Sequence, residues 1–317
     1  MKLPNELKAI IESEIEGIKY NQLINDAQNI SDRYRNNDGK GSRLLTKDNE
    51  AVAYSVVRMP ATYASVYSAL DYSLDVADFS IKSLLDVGAG TGAATWAADS
   101  LIELESVKCL ERESAMRKVG EKIMSSSEGI LSEAKWEAYD LIKDDINEKY
   151  DLVITSYVLN ELSDVDRLKA VDKLWTATDK MLLIIEPGTP VGFNNLKKIR
   201  EYLLKEGAYM VAPCPHEDKC IMPEEEWCHF ACRVERSKMH RQLKGELSYE
   251  DEKFAYLAVS RELVDKVNAR ILRRPKIGKG NIIVQTCSSE GIENKNILKR
   301  DKELFKTIKK AQWGDKF

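Results

Sequence analysis

The sequence predicts an α/β fold built on a parallel sheet with helices on both faces, preceded by a helical extension. Three observations carry that expectation. Four short runs, SLLDVG, SVKCLE, DLVITSYV and MLLIIEPG, are apolar on consecutive positions, which is the pattern of strands buried on both faces. Helix-like segments separate these runs, as crossovers between parallel strands require. The first run ends in a glycine-rich turn that opens a helix, and strand, glycine turn and helix in that order form the context of a nucleotide-binding loop.

A chain of 317 residues is long for one compact domain and points to a principal domain with appendages. Residues 1–80 carry apolar residues at three and four spacing in LPNELKAIIESEIEG and AVAYSVVRMPATYASVYSALDYSL, so an N-terminal helical region is expected, with NNDGKGS as a polar loop within it. A Rossmann-like core is expected over 81–210 and a cysteine-rich insertion over 211–250. Residues 251–317 are expected to complete the sheet and end in a basic tail. The start, MKLPNELKAIIESEIEG, has no apolar run after a basic stretch, and no window of about twenty apolar residues occurs. Neither export nor a membrane partner is expected, and the location read from this is cytoplasmic. A formal charge of -4 with 32% charged residues gives no overall bias toward nucleic acid, so an RNA partner would need local patches, and DNA is not expected.

The loop after the first strand reads Asp86-Val87-Gly88-Ala89-Gly90-Thr91-Gly92. Glycines there permit backbone angles closed to other residues and let a ligand approach the main chain. The helix that follows, AATWAADSLIEL, points its first amides at a bound anion. About twenty residues on, SVKCLE ends in Glu111, placed to accept hydrogen bonds from a ribose diol. Two cofactors fit: Gly88, Gly90 and Ala93 as G-x-G-x-x-A suit a dinucleotide, whereas Asp86 to Gly92 as D-x-G-x-G-x-G resembles the first motif of class I S-adenosylmethionine-dependent methyltransferases. Later segments favour the second resemblance, which implies a cofactor set of Asp86, Gly88, Gly90, Gly92, Glu111 and Asp140, the last in EAYDLI where such enzymes contact adenine. After the fourth strand stands Ser156-Tyr157-Val158-Leu159-Asn160-Glu161 and not the Pro-Pro-aromatic turn of base amino methylation. Pro213-Cys214 and Thr286-Cys287 lie in the wrong order for cytosine C5 transfer. No catalytic residue is assigned.

Residues 213–237, PCPHEDKCIMPEEEWCHFACRVERS, hold four of the six cysteines and two of the three histidines. A large core in a reducing compartment has no need of disulfides, so clustered thiols read as metal ligands. Cys214-x5-Cys220-x7-Cys228 with the distant Cys287 can close a tetrahedral zinc site or hold a four-iron cluster, and spacing leaves both open. Cys109, in an apolar strand, reads as core.

The run from Pro213 to Tyr256, with CPHEDKC, EEEWCHFACRVERSKMHR and GELSYEDEKFAYL, closely resembles the small-ribosomal-subunit methyltransferase-like family. RMPATY at 58–63, RRPKIGKG at 273–280 and the terminal AQWGD extend the resemblance over nearly the whole chain. It implies a 4Fe-4S cluster on Cys214, Cys220, Cys228 and Cys287, and a partner in the small ribosomal subunit and its rRNA. Cys232 stands where the family pattern calls for no cysteine and is expected to be a free thiol. Two basic segments, KVNARILRRPKIGKG at 266–280 and RVERSKMHRQLKG at 233–245, are expected to face RNA. The function expected is an S-adenosylmethionine-binding iron-sulfur protein that supports small-subunit assembly or translation. Its alternatives are an active rRNA methyltransferase, a non-catalytic assembly factor and a small-molecule methyltransferase with a structural zinc site.

Overall fold

The computed structural model describes residues 1–36, 48–237, 240–241 and 247–317. All but the first residue of NNDGKGS, and much of RVERSKMHRQLKG after Ser237, lie outside the described residues.

In the N-terminal region α1 spans Asn5–Glu14, α2 Tyr20–Asn36, α3 Asp48–Val57 and α4 Met59–Leu74. The proline of RMPATY sits in the first turn of α4, where its missing amide costs nothing, so the second apolar stretch divides into two helices.

The core then alternates strand and helix: β1 (Ser83–Val87), α5 (Ala93–Asp99), β2 (Ser106–Glu111), α6 (Ser114–Ser125), β3 (Lys135–Ala138), β4 (Tyr150–Ser156), α7 (Asp164–Thr176), β5 (Thr178–Pro187), α8 (Pro190–Lys205) and β6 (Tyr209–Ala212). Two further strands, β7 (Phe230–Glu235) and β8 (Tyr249–Ser260), complete it. The order is β3-β2-β1-β4-β5-β8-β6, with β7 also paired to β8. The sheet is mixed where a parallel one was expected, because β8 enters antiparallel between β5 and β6. Side chains alternate between two cores. Leu84, Ile154 and Leu183 pack with α1 to α6 on one face, and Leu85, Val153 and Leu182 pack with α7 and α8 on the other. Ser163 and Thr189 cap those last two helices by accepting from the amides of Asp166 and Gly192.

Strand β8 changes character along its length. Tyr249 to Lys253 alternate between exposed and half-buried and pair with β7 as a ribbon, whereas Phe254 to Ser260 are buried in the sheet. Strands β6 and β7 lie in sequence along one edge of β8, and the cysteine-bearing loop 213–229 leaves that edge between them.

Only β8 completes the large sheet. The residues after it form a separate antiparallel sheet of β9 (Ala269–Ile271), β10 (Lys276–Ile277), β11 (Asn281–Ser288) and β12 (Gly291–Leu298). Helix α9 (Lys302–Ile308) packs Phe305 and Ile308 onto Ile282, Val284 and Ile297, a third small core. The chain end returns to α4, where the Tyr72 hydroxyl donates to the Trp313 carbonyl at 2.8 Å.

Candidate functional site

A cavity opens at the C-terminal ends of β1, β2 and β4, the usual ligand position in such sheets. Gly88, Gly90, Glu111, Asp140 and Tyr157 line it. The amides of Gly88 and Ala89 donate to the Leu110 carbonyl at 2.8 and 3.1 Å, tying the glycine loop to β2. Gly88 has φ 73°, and a Cβ there would lie 2.3 Å from Val158 Cγ2, so any other residue strains the turn and forces it to shift.

Glu111 accepts from the Gly90 amide at 2.8 Å and from the Glu113 amide at 2.7 Å, one on each carboxylate oxygen. Burial raises its carboxyl while those two amides oppose the rise. Partial burial also acts on Asp140, but the Ile142 amide and the Lys143 ammonium prevail and hold it below the ordinary carboxylate range. Each acid keeps lone pairs for a ligand hydroxyl or amine.

Asp86 and Gly92 do not line this cavity. Asp86 is fully buried beneath it, accepting from the Thr95 hydroxyl at 2.8 Å and amide at 3.2 Å and so anchoring α5 to β1. Burial pushes its carboxyl up to about 7. Gly92 caps α5 at φ 88°, against Met124 and Trp136. That helix runs seven residues, shorter than AATWAADSLIEL.

Two lining residues carried no sequence signal. Tyr157 has φ 61°, an unfavourable backbone for a bulky residue, and is held by its hydroxyl to Ser65 Oγ at 3.0 Å and Glu252 Oε1 at 3.3 Å. Glu161 has its carboxyl pushed up to about 7, chiefly by burial, with Arg112 opposing and Glu111 adding. A carboxyl titrating there can take a proton at neutral pH. None of the residues that line this cavity is a cysteine.

Cys214, Cys220, Cys228 and Cys287 all line a second cavity, between β8, α8 and the small sheet. Three come from the 213–229 loop and the fourth from β11, opposite Arg270 of β9 and Ile292 of β12. Burial raises the Cys228 thiol well above its ordinary range, and the facing thiols Cys214, Cys287 and Cys220 add to it. Cys287 is pushed up to about 12 by burial, then by Cys214 and Cys220. Its sulfur lies 3.9 Å from His216 Nε2.

Two arginines brace this cavity. Arg200 donates through Nη2 to the carbonyls of His216 and Asp218, both at 2.8 Å. Arg270, 1% exposed, donates to Pro213 O at 3.1 Å and Gly314 O at 2.9 Å. Arg200 Nε, Arg270 Nη2 and the Tyr256 hydroxyl are buried without a hydrogen-bond partner among the described residues. Also among the described residues, no group of three or more His, Cys, Asp or Glu side chains is arranged to hold a metal ion. Cys232 faces a different cavity, beside Tyr72 and Trp313, and Cys109 is core, 3.4 Å from Thr95 Oγ1.

Several cations of the basic segments predicted to face RNA are paired with acids within the fold. Lys266 pairs with Glu217 at 3.0 Å and Arg273 with Glu226 at 3.5 Å. Arg233 pairs with Asp251 at 2.8 Å and Arg236 with Glu250 at 3.0 Å. These acids come from other segments, so a local charge count overstates what the surface presents.

No helix among the described residues is long and apolar enough to cross a membrane. The human ribosome assembly protein METTL17, mitochondrial, is 24% identical over 291 residues, covering 84% of this chain and 62% of that protein. The Rsm22-cox11 tandem protein 2, mitochondrial, of Schizosaccharomyces pombe is 26% identical over 341 residues, covering 88% of this chain and 44% of that one. The chain thus spans about three fifths of the human relative and under half of the yeast one. Among solved structures, the putative RNA methyltransferase PH1948 from Pyrococcus horikoshii is 19% identical with a TM-score of 0.44, covering 68% of this chain and 96% of that one. Magnesium protoporphyrin IX methyltransferase from Synechocystis PCC 6803 is 14% identical with a TM-score of 0.43, covering 78% and 99%. Residues 48–317 match the family described as mitochondrial small ribosomal subunit Rsm22, and the chain belongs to that family.

Proposed function

We propose that this chain is an S-adenosylmethionine-binding iron-sulfur protein that docks on the small ribosomal subunit and its rRNA and supports assembly or translation. The observation that carries the reading is the gathering of Cys214, Cys220, Cys228 and Cys287 around one cavity in a chain of the Rsm22 family.

The buried donors around the cavity favour a cluster over zinc. Zinc needs its ligands within about 2.3 Å of a single point, and the four cysteines of this cavity are not drawn together around a metal of either kind among the described residues. A cubane on four thiolates is bulky and anionic, with sulfurs that accept hydrogen bonds. Arg200 and Arg270 supply the buried positive charge, and their free donors with the Tyr256 hydroxyl supply the hydrogen bonds. Held by these four cysteines, the cluster would act as a cross-link joining the 213–229 loop to the small sheet.

S-adenosylmethionine is assigned to the first cavity, with Gly88 and Gly90 under the ligand, Glu111 for the ribose and Asp140 for the adenine. One observation favours catalysis as a second reading: Glu161, held near neutrality beside the glycine loop, suits a base for an rRNA nitrogen or hydroxyl. We take the compartment to be the cytoplasm; the two relatives named above are mitochondrial by name.

Gradient sedimentation with small subunits tests the reading. The wild type is expected to co-migrate and Cys220→Ser to be lost from the subunit peak; migration of the wild type with free protein alone would refute it. Transfer of labelled methyl to small-subunit RNA, abolished by Glu161→Gln, separates the enzyme from the non-catalytic factor.

A further inference from the structure

Pairing removes Lys266, Arg273 and Arg274 from the predicted basic segment 266–280 but leaves Lys276 and Lys279 without an acid among the described residues, and further cations follow that segment. Residues 266–317 hold fourteen Lys and Arg against five Asp and Glu, a charge of +9 in a chain of -4, which leaves -13 on residues 1–265. Within that stretch Lys276 and Lys279 stand at the tip of the β10–β11 hairpin, and Lys299 and Arg300 follow β12. All four are exposed. None pairs with an acid among the described residues, whereas Lys266, Arg273 and Arg274 do.

The fold brings these two pairs together. The Lys299 amide donates to the Gly280 carbonyl at 3.0 Å, and the Gly278 amide closes the tip onto Asn281 at 2.8 Å. Helix α9 continues the surface: Phe305 and Ile308 face the small core, leaving Lys302 and Lys306 one turn apart on its outer side. Lys309 and Lys310 follow, exposed. Asp301 and Glu303 are the only acids between 294 and 314. Ile277, 57% exposed, sits among the tip lysines and can meet a sugar or base face.

We propose that this end of the small sheet, formed by the hairpin tip, the Lys299–Arg300 pair and the outer side of α9, is the surface that grips ribosomal RNA phosphates. The proposal rests on the small-subunit reading above. Exposed cations without internal partners release counterions on meeting phosphate, which makes the binding steeply salt-dependent.

The test measures binding of the full chain to a fluorescein-labelled small-subunit rRNA transcript across a potassium chloride series. The variant Lys276→Gln/Lys279→Gln/Lys299→Gln/Arg300→Gln is expected to lose about tenfold or more in affinity. Its slope of log K against log salt should flatten by about one unit per lost contact. Because these side chains make no ion pair, its melting temperature should stay within about 2 °C of wild type. Wild-type affinity and slope in this variant, with weakened binding in Arg233→Gln/Lys266→Gln, would overturn the surface and leave the small-subunit reading intact. Failure of the wild type to bind the transcript at all, or preference for phosphatidylglycerol vesicles over RNA, would overturn the RNA partner itself.

Discussion

The Arg58 guanidinium lies 3.3 Å from the Glu252 carboxylate, and the Tyr157 hydroxyl donates to the same oxygen at 3.3 Å. One acid therefore joins the start of α4, the antiparallel strand β8 and the turn that walls the glycine-loop cavity. Burial works against the Arg58 charge, but Glu252 outweighs it and keeps the guanidinium protonated. Arg58→Met leaves Glu252 with one neutral donor and is expected to cost about 2 kcal/mol. Glu252→Gln keeps an acceptor for both donors and should cost about half as much. Urea midpoints of the two variants check the order.

The buried carboxyls set a pH dependence. Asp86 rises to about 7 and Glu186 to about 8, each chiefly through burial. Both hold a proton when folded at a pH where the unfolded chain has released it, so the folded state binds more protons and stability falls as pH rises. Their contribution is full below about pH 4 and is lost through pH 7 to 8. Asp86→Asn and Glu186→Gln are expected to flatten the decline in urea midpoint between pH 5 and pH 8, each removing about one proton of linkage.

Gly88→Ala tests the proposed role of the glycine loop. The new methyl would fall 2.3 Å from Val158 Cγ2 at φ 73°, so the turn must shift. S-adenosylmethionine affinity by calorimetry should fall at least about tenfold, which is roughly 1.4 kcal/mol. Adding Val158→Ala removes the overlap but not the backbone strain, so the double variant should recover only in part.

The buried arginines tune whatever charge the cysteine cavity holds. Arg200→Gln removes a cation that draws down the Cys214 thiol against its burial. With a cluster bound, its reduction potential is expected to become more negative while iron content is retained. Square-wave voltammetry of anaerobic protein reads the shift.

How far the sequence could lead is clear from particular elements. Runs such as MLLIIEPG declared doubly buried strands, and β1, β2, β4 and β5 lie where those runs stand. Strand β3, KWEA, was missed because an exposed edge strand carries no apolar pattern. The small sheet was taken for the end of the large one because a strand such as NIIVQTCS does not say which sheet it joins. The four cysteines do gather, but Asp86, the first residue of the glycine motif, proved to be an anchor under the loop. Tyr157 was invisible because the partners of its hydroxyl, Ser65 and Glu252, are both remote in sequence. Charge runs overstate the free charge for the same reason: the acids that pair with Arg233 and Lys266 come from other segments.

The most direct measurement is iron, acid-labile sulfide and zinc in protein purified without oxygen, beside Cys220→Ser. About four irons and four sulfides per chain, lost in the variant, is the result this account predicts. One zinc with no sulfide, unchanged by the variant, would contradict it.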